Sequence, residues 1–207
     1  MLKQRGFSLV ELMVVVVIAS VLLAYAVPAF SAWLTNTRIR NVTTEFVTGL
    51  QQARAEAIAR NSQVRFQSVN DITSACSLST SGTGWVINRV ATGDTVASAC
   101  NAAIDPSGAT APFIIAKHAP DSDTRVAVAA SSSELIFTSL GRRTTTAGSF
   151  VVPTADATYD FTASSSGGCA PNGNLTCLRV VVSVAGQVRM CNPRFPADDP
   201  QACPAAP

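Results

Sequence analysis

Hydrophobic and polar positions divide the chain into three regimes. Residues 7–27 are predominantly apolar and carry a single charge, Glu11. Beyond Pro28, the residues Ile39, Val42, Phe46, Leu50, Ala53 and Ala57 recur at intervals of three and four. Arg38, Glu45, Gln52, Arg54, Glu56 and Arg60 fall off that line. This spacing predicts a helix with one apolar stripe, its exposed side braced by a Glu56–Arg60 pair. From residue 63 onward the apolar runs shorten to strand length between Gly, Ser, Asn and Pro. They predict strands at 63–68, 84–90, 113–117, 125–129, 134–139, 149–153, 158–163, 178–183 and 187–191.

A helix over residues 7–27 would run about 32 Å, enough to cross a hydrocarbon core of about 30 Å. Pro28 lacks an N–H and should kink or loosen this helix without ending it. Continued to residue 60, the helix would be roughly 80 Å long, and the β-rich segment is the only body in the chain able to cover its outer stripe. The expected fold class is therefore α+β. A long N-terminal helix, transmembrane over 7–30 and amphipathic over 31–61, packs on an antiparallel, sandwich-like β-domain at 62–191, and a Pro-rich extended tail follows at 192–207. Gly141 and Gly186 sit where hairpins need a positive φ. Trp85 reads as a core anchor, because so large a side chain is rarely left in water.

Charge sharpens the picture. Lys3 and Arg5 precede the apolar run and favour a cytoplasmic N-terminus. A carboxylate inside an apolar span costs about 2.5–3.5 kcal/mol, so Glu11 needs a partner. A cleavable secretory signal ending near Ala24-Tyr25-Ala26 fits poorly, because the run exceeds the roughly 7–15 apolar residues of such signals. Beyond Phe30 there are 13 Lys and Arg against 12 Asp and Glu, a near-neutral balance that supplies no global field for nucleic acid. Six cysteines (Cys76, Cys100, Cys169, Cys177, Cys191 and Cys203) all follow the apolar span. An even number there reads as three disulfides in an oxidising compartment. Proximity favours Cys76–Cys100, Cys169–Cys177 and Cys191–Cys203, with Cys177–Cys191 across the terminal hairpin as the competitor. The spacing lacks the C-x-x-C of a zinc site and the chain has one histidine, so no metal is expected.

Arg5-Gly6-Phe7-Ser8-Leu9-Val10-Glu11-Leu12 resembles the leader junction of type IV prepilins and type II secretion pseudopilins. The resemblance implies that residues 1–6 are a leader removed by a prepilin peptidase after Gly6, and that Phe7 becomes the N-methylated N-terminus. It also implies that Glu11 pairs with the terminal amine of a neighbouring subunit during assembly. The physics agrees, since two buried charges compensate each other where one alone would not be tolerated. Leu50-Gln51-Gln52-Ala53-Arg54-Ala55-Glu56-Ala57-Ile58 and Val64-Arg65-Phe66 are similar to the GspH/FimT/FimU branch, as is a tryptophan following the first cysteine. That branch implies a minor pilin that initiates or tips a type IV pilus, with major and minor pilins as partners. It would sit in the bacterial inner membrane, its domain periplasmic, and then in the extracellular pilus. A GspH-type pseudopilin of a secretion system is the structural alternative.

Catalytic chemistry is not legible. His118 lies between Lys117 and Ala119-Pro120 and reads as a solvated loop imidazole; Asp121/Asp123 and Asp198-Asp199 read as polar loop pairs. No constellation of nucleophile, base or paired acids emerges, so neither enzyme activity nor a cofactor is expected. Arginines are the remaining handle. FimT-type pilins that bind DNA in transformation carry a C-terminal Gly-Arg-x-Arg, where this chain reads Gly186-Gln187-Val188-Arg189. One arginine of that motif is absent. A DNA-binding patch built from Arg142, Arg143, Arg179 and Arg189 requires the Gly141 turn to lie beside the last hairpin.

Overall fold

The computed structural model describes residues 8–91, 96–107, 109–123, 125–164, 168–170 and 172–204. Its first element, α1, is one unbroken helix over Leu9–Ala59 that includes Pro28. It is capped by Arg60, whose N–H reaches the Glu56 carbonyl, and the chain leaves through Asn61 at φ 48°. Arg60 Nε also donates to Glu56 Oε2 at 2.6 Å, as the i, i+4 spacing predicts.

Among the described residues nine strands follow, all paired antiparallel: β1 (Val64–Val69), β2 (Gly84–Arg89), β3 (Ile114–His118), β4 (Val126–Ala130), β5 (Glu134–Phe137), β6 (Arg143–Thr144), β7 (Ala157–Ala163), β8 (Leu178–Val182) and β9 (Val188–Cys191). They form two sheets, ordered β3-β2-β1-β5-β6 and β4-β7-β8-β9. Every stripe residue of α1, from Ile39 to Ala57, is buried in a core that draws on both sheets. Phe46 is the meeting point. Its ring centroid lies 5.8 Å from that of Phe66 in the first sheet and 5.6 and 5.1 Å from Tyr159 and Phe161 in the second. Alternate residues of β7 point inward, which puts Ala157, Tyr159 and Phe161 on the helix face. Burial pushes the Tyr159 phenol well above its ordinary value.

Trp85 is the core residue expected of it, held between α1 and β3. Gly49 makes room on the helix side, where a Cβ would stand 2.8 Å from the indole. His118 closes the other side, with ring centroids 5.7 Å apart and planes 19° from parallel. This corrects the reading of His118 as a solvated loop residue. It ends β3, with Nε2 at 3.6 Å from Glu45 Oε2 of α1.

All six cysteines pair by proximity: Cys76–Cys100, Cys169–Cys177 and Cys191–Cys203. The first bridge stitches a cover over the outer face of the first sheet. Val69, Val86 and Ile114 pack there with Val96 and both cysteines as a second core. Two expectations fail. Residues 149–153 form no strand: the Ser149 carbonyl accepts from the Gln63 and Thr144 side chains, and the Val151 carbonyl accepts from the Thr145 N–H and the Thr144 hydroxyl without a ladder developing. The tail is not extended either. Turns at 192–202 fold it back, Asn192 bridges to Ala202, and the Arg189 guanidinium donates to the Pro200 and Ala202 carbonyls at 3.0 Å.

Candidate functional site

The apolar half of α1 is one candidate surface. From Leu9 to Phe30 every residue is exposed, and no other part of the described chain covers this stretch. Hydrogen bonds cannot be left open in an apolar medium, and a helix meets that condition by itself. Ser20 Oγ likewise turns back onto the Val16 and Val17 carbonyls at 2.6 and 3.0 Å. Glu11 lies in the first turn, where the unpaired N–H groups and the helix dipole favour a negative charge. Ser8-Leu9-Val10-Glu11 also has the spacing of a capping box, a feature sequence reading missed; yet Ser8 makes no side-chain capping bond. Gly6 and Phe7, the expected processing site, lie outside the described residues.

The second candidate is the arginine-bearing pair of turns. The structure does bring the Gly141 turn, joining β5 to β6, against the Gly186 turn, joining β8 to β9. Both glycines adopt the left-handed conformation, with φ of 72° and 80°. Arg54 of α1 reaches the same place and donates from Nε to the Gly141 carbonyl at 3.1 Å. The helical spacing placed Arg54 off the apolar stripe but carried no signal of this contact.

The four expected arginines separate here. Arg142 is exposed. Arg143 alternates to the opposite face, is only 8% exposed, and donates to the Ala155 and Val182 carbonyls at 3.1 and 2.8 Å. Burial lowers its pKa from the ordinary arginine value, so its work is internal and it does not join a surface patch. Arg179 forms a two-bond pair with Asp160 across β7 and β8, at 2.7 and 3.1 Å. Arg189 lies beside Arg54 and Gln187, but its guanidinium holds the tail.

The acidic pair Asp121/Asp123 proves structural too. Asp121 accepts a hydrogen bond from Arg38, and Asp123 lies 3.8 Å from the same guanidinium, tying α1 to the loop before β4. Hydrogen bonds from Arg125, first from its side chain and then from its backbone, hold Asp123 down at about 2.

A family model described as type II transport protein GspH matches residues 42–186. A prokaryotic N-terminal methylation motif matches residues 1–27. No curated protein matches the chain in sequence. The fold is similar to a crystal structure of the type IV minor pilin FimU of Pseudomonas aeruginosa strain PAO1. That match has a TM-score of 0.51 at 18% identity and covers 81% of this chain and 96% of that one. A second crystal form of FimU gives 0.48 at 18% identity over 79% and 98%. With the GspH match spanning most of the β-domain and helix stripe, and the methylation motif spanning the apolar run, the chain belongs to the GspH family of pilin-like subunits.

Proposed function

We propose that this chain is a minor pilin of a type IV pilus, a non-enzymatic subunit that enters the filament at its initiating end or tip. In this reading prepilin peptidase cuts after Gly6 and Phe7 is methylated. The apolar half of α1 then holds the subunit in the inner membrane, with the β-domain on the periplasmic side. Association with other pilin subunits replaces lipid around α1 with neighbouring helices. Glu11 fixes axial register by neutralising a neighbour's terminal amine.

One observation carries the proposal: α1 leaves its apolar half bare while its other half is the core of the domain. Such a surface needs either lipid or like helices. The charge at Glu11 adds direction, because an isolated carboxylate in that surface is costly and a paired one is not. The same physics would serve a GspH-type pseudopilin. Deleting the chain and scoring surface pili, protein secretion and DNA uptake separates these roles, and loss of pili with secretion intact supports the pilus. Glu11→Ala should leave membrane insertion and leader removal normal but reduce incorporation into filaments; normal incorporation would sink the register role. A DNA-receptor role draws little support from the arginines, since Arg143, Arg179 and Arg189 are each engaged within the subunit.

A further inference from the structure

The base of the domain, where α1 emerges, carries a groove that subunit association through the apolar helix does not use. Trp33 and Arg40 of α1 form one wall, and Met190 of β9 with Phe195 of the Cys191–Cys203 loop form the other. Its apolar walls stand in the open: Trp33 is 59% exposed, Phe195 40% and Met190 37%. Trp33 is stacked on Phe30, with ring centroids 5.7 Å apart, so the aromatic surface continues down the helix toward the apolar span. On the upper side the groove is fixed in place, because Asn36 Oδ1 accepts from the Thr176 N–H at 2.7 Å.

The height of this groove above a bilayer follows from the helix. A hydrocarbon core of about 30 Å takes about 20 helical residues. Placing the costly Glu11 at the inner boundary puts residues 12–31 across the core. Trp33 then lies about 3 Å beyond it, inside the outer headgroup layer. Because α1 is unbroken, the loop packed beside Trp33 is carried to the same layer. Tryptophan and its aromatic neighbours favour that layer, which accepts an apolar ring and a wet edge together. Arg40, exposed at the upper end of the groove, stands about 13 Å beyond the core on the same ruler, above the headgroup layer.

We propose that, before entering a filament, the subunit rests its Cys191–Cys203 loop on the outer leaflet of the membrane. Trp33 and Phe195 lie in the headgroup layer. The inference rests on the reading of α1 as a membrane span. It makes the disulfide loop a foot that sets the height of the domain above the membrane.

The test uses the full-length chain in phosphatidylcholine vesicles containing lipids nitroxide-labelled either just below the headgroup or near the chain end. Three proteins are compared: the wild type, Trp33→Phe, and Trp33→Phe combined with Phe195→Trp. Trp85, buried in the core, supplies the unquenched baseline. The indole introduced by Phe195→Trp should be quenched by the shallow label more than by the deep one, by about twofold or more for a ring at headgroup depth. That preference should persist as the protein is diluted in lipid. Quenching of Trp33 without quenching at position 195 would overturn the foot and leave the span intact. Protection of position 195 that appears only at high protein-to-lipid ratio would assign the groove to a second subunit, also against the proposal. No quenching at either position would overturn the span, and the foot with it.

Discussion

The carbonyl oxygen of Gly141 lies 1.9 Å from where a Cβ on Gly186 would stand. The turn of one sheet is thus seated on the turn of the other, and the same carbonyl accepts a hydrogen bond from Arg54 of the helix. Helix and both sheets converge on this one peptide unit. Gly186→Ala would introduce both a backbone clash and an unfavourable left-handed residue. It should cost at least about 2 kcal/mol, read as a lower denaturation midpoint of the soluble domain. An unchanged midpoint would mean that the two turns are not in contact.

Arg142 and Arg143 are neighbours in sequence with opposite situations, and their alanine variants should behave oppositely. Arg143→Ala strands the Ala155 and Val182 carbonyls, at a cost of about 1–3 kcal/mol for the lost charge-assisted bonds. Arg142→Ala should leave stability within about 0.5 kcal/mol of wild type. If the domain nevertheless binds DNA, Arg142→Ala should weaken it and lower the salt slope by about one unit. Equal thermal stability for the two variants would contradict the burial of Arg143.

Acid should loosen the turn before β4, where Arg125 holds Asp123 and Arg38 of α1 adds a weaker attraction. Asp123 is held at about 2 in the folded domain, against about 3.9 for an unfolded aspartate. A depressed carboxylate contributes stability above the unfolded value, and loses it as pH falls through the folded one. Asp71 and Asp105 are shifted the same way, chiefly by hydrogen bonds from the Thr73 and Ser107 hydroxyls. Melting temperature should therefore decline between about pH 4 and pH 2. Asp123→Asn should flatten part of that decline, and these surface groups make it salt-sensitive. A melting curve flat across that range would refute the assignment.

Removing Cys76–Cys100 releases a loop with a sequence separation of 24, worth about 3.5 kcal/mol by loop closure. The loop also covers Val69, Val86 and Ile114. The paired serine variant should expose this face, detectable as faster hydrogen exchange in β1 and β2. Exchange confined to the loop itself would show that the second core holds without the bridge.

The helix was the most legible part of the chain because one periodicity spans it. Ile39, Val42, Phe46, Leu50, Ala53 and Ala57 are all buried as their spacing predicts. The disulfides followed from short separations, and Gly141 and Gly186 from turn chemistry. What escaped depends on contacts distant in sequence. Nothing local says that Arg143 faces carbonyls of another strand, that Arg54 meets two turns, or that His118 lies on Trp85. Residues 149–153 carry strand-like composition, yet their carbonyls at Ser149 and Val151 are shared with side chains of Gln63 and Thr144 and no ladder forms. Arginines in a β-rich segment look alike on paper; of Arg142, Arg143, Arg179 and Arg189, the fold gives the first to solvent and the other three to internal partners.

The unbroken course of α1 also has a mechanical consequence. The rod that would be gripped by neighbouring helices at one end is, at the other, the central member of its own domain. Tension along it would load the contacts of Phe46, Leu50 and Ala53 in parallel, as sliding, instead of unzipping a strand one ladder bond at a time. The domain can yield only when many side chains leave their seats together. Arg38 clamped to the Asp121 loop and Arg54 bonded at Gly141 hold the same rod at two heights. A subunit built this way is suited to transmit a pull without opening its core.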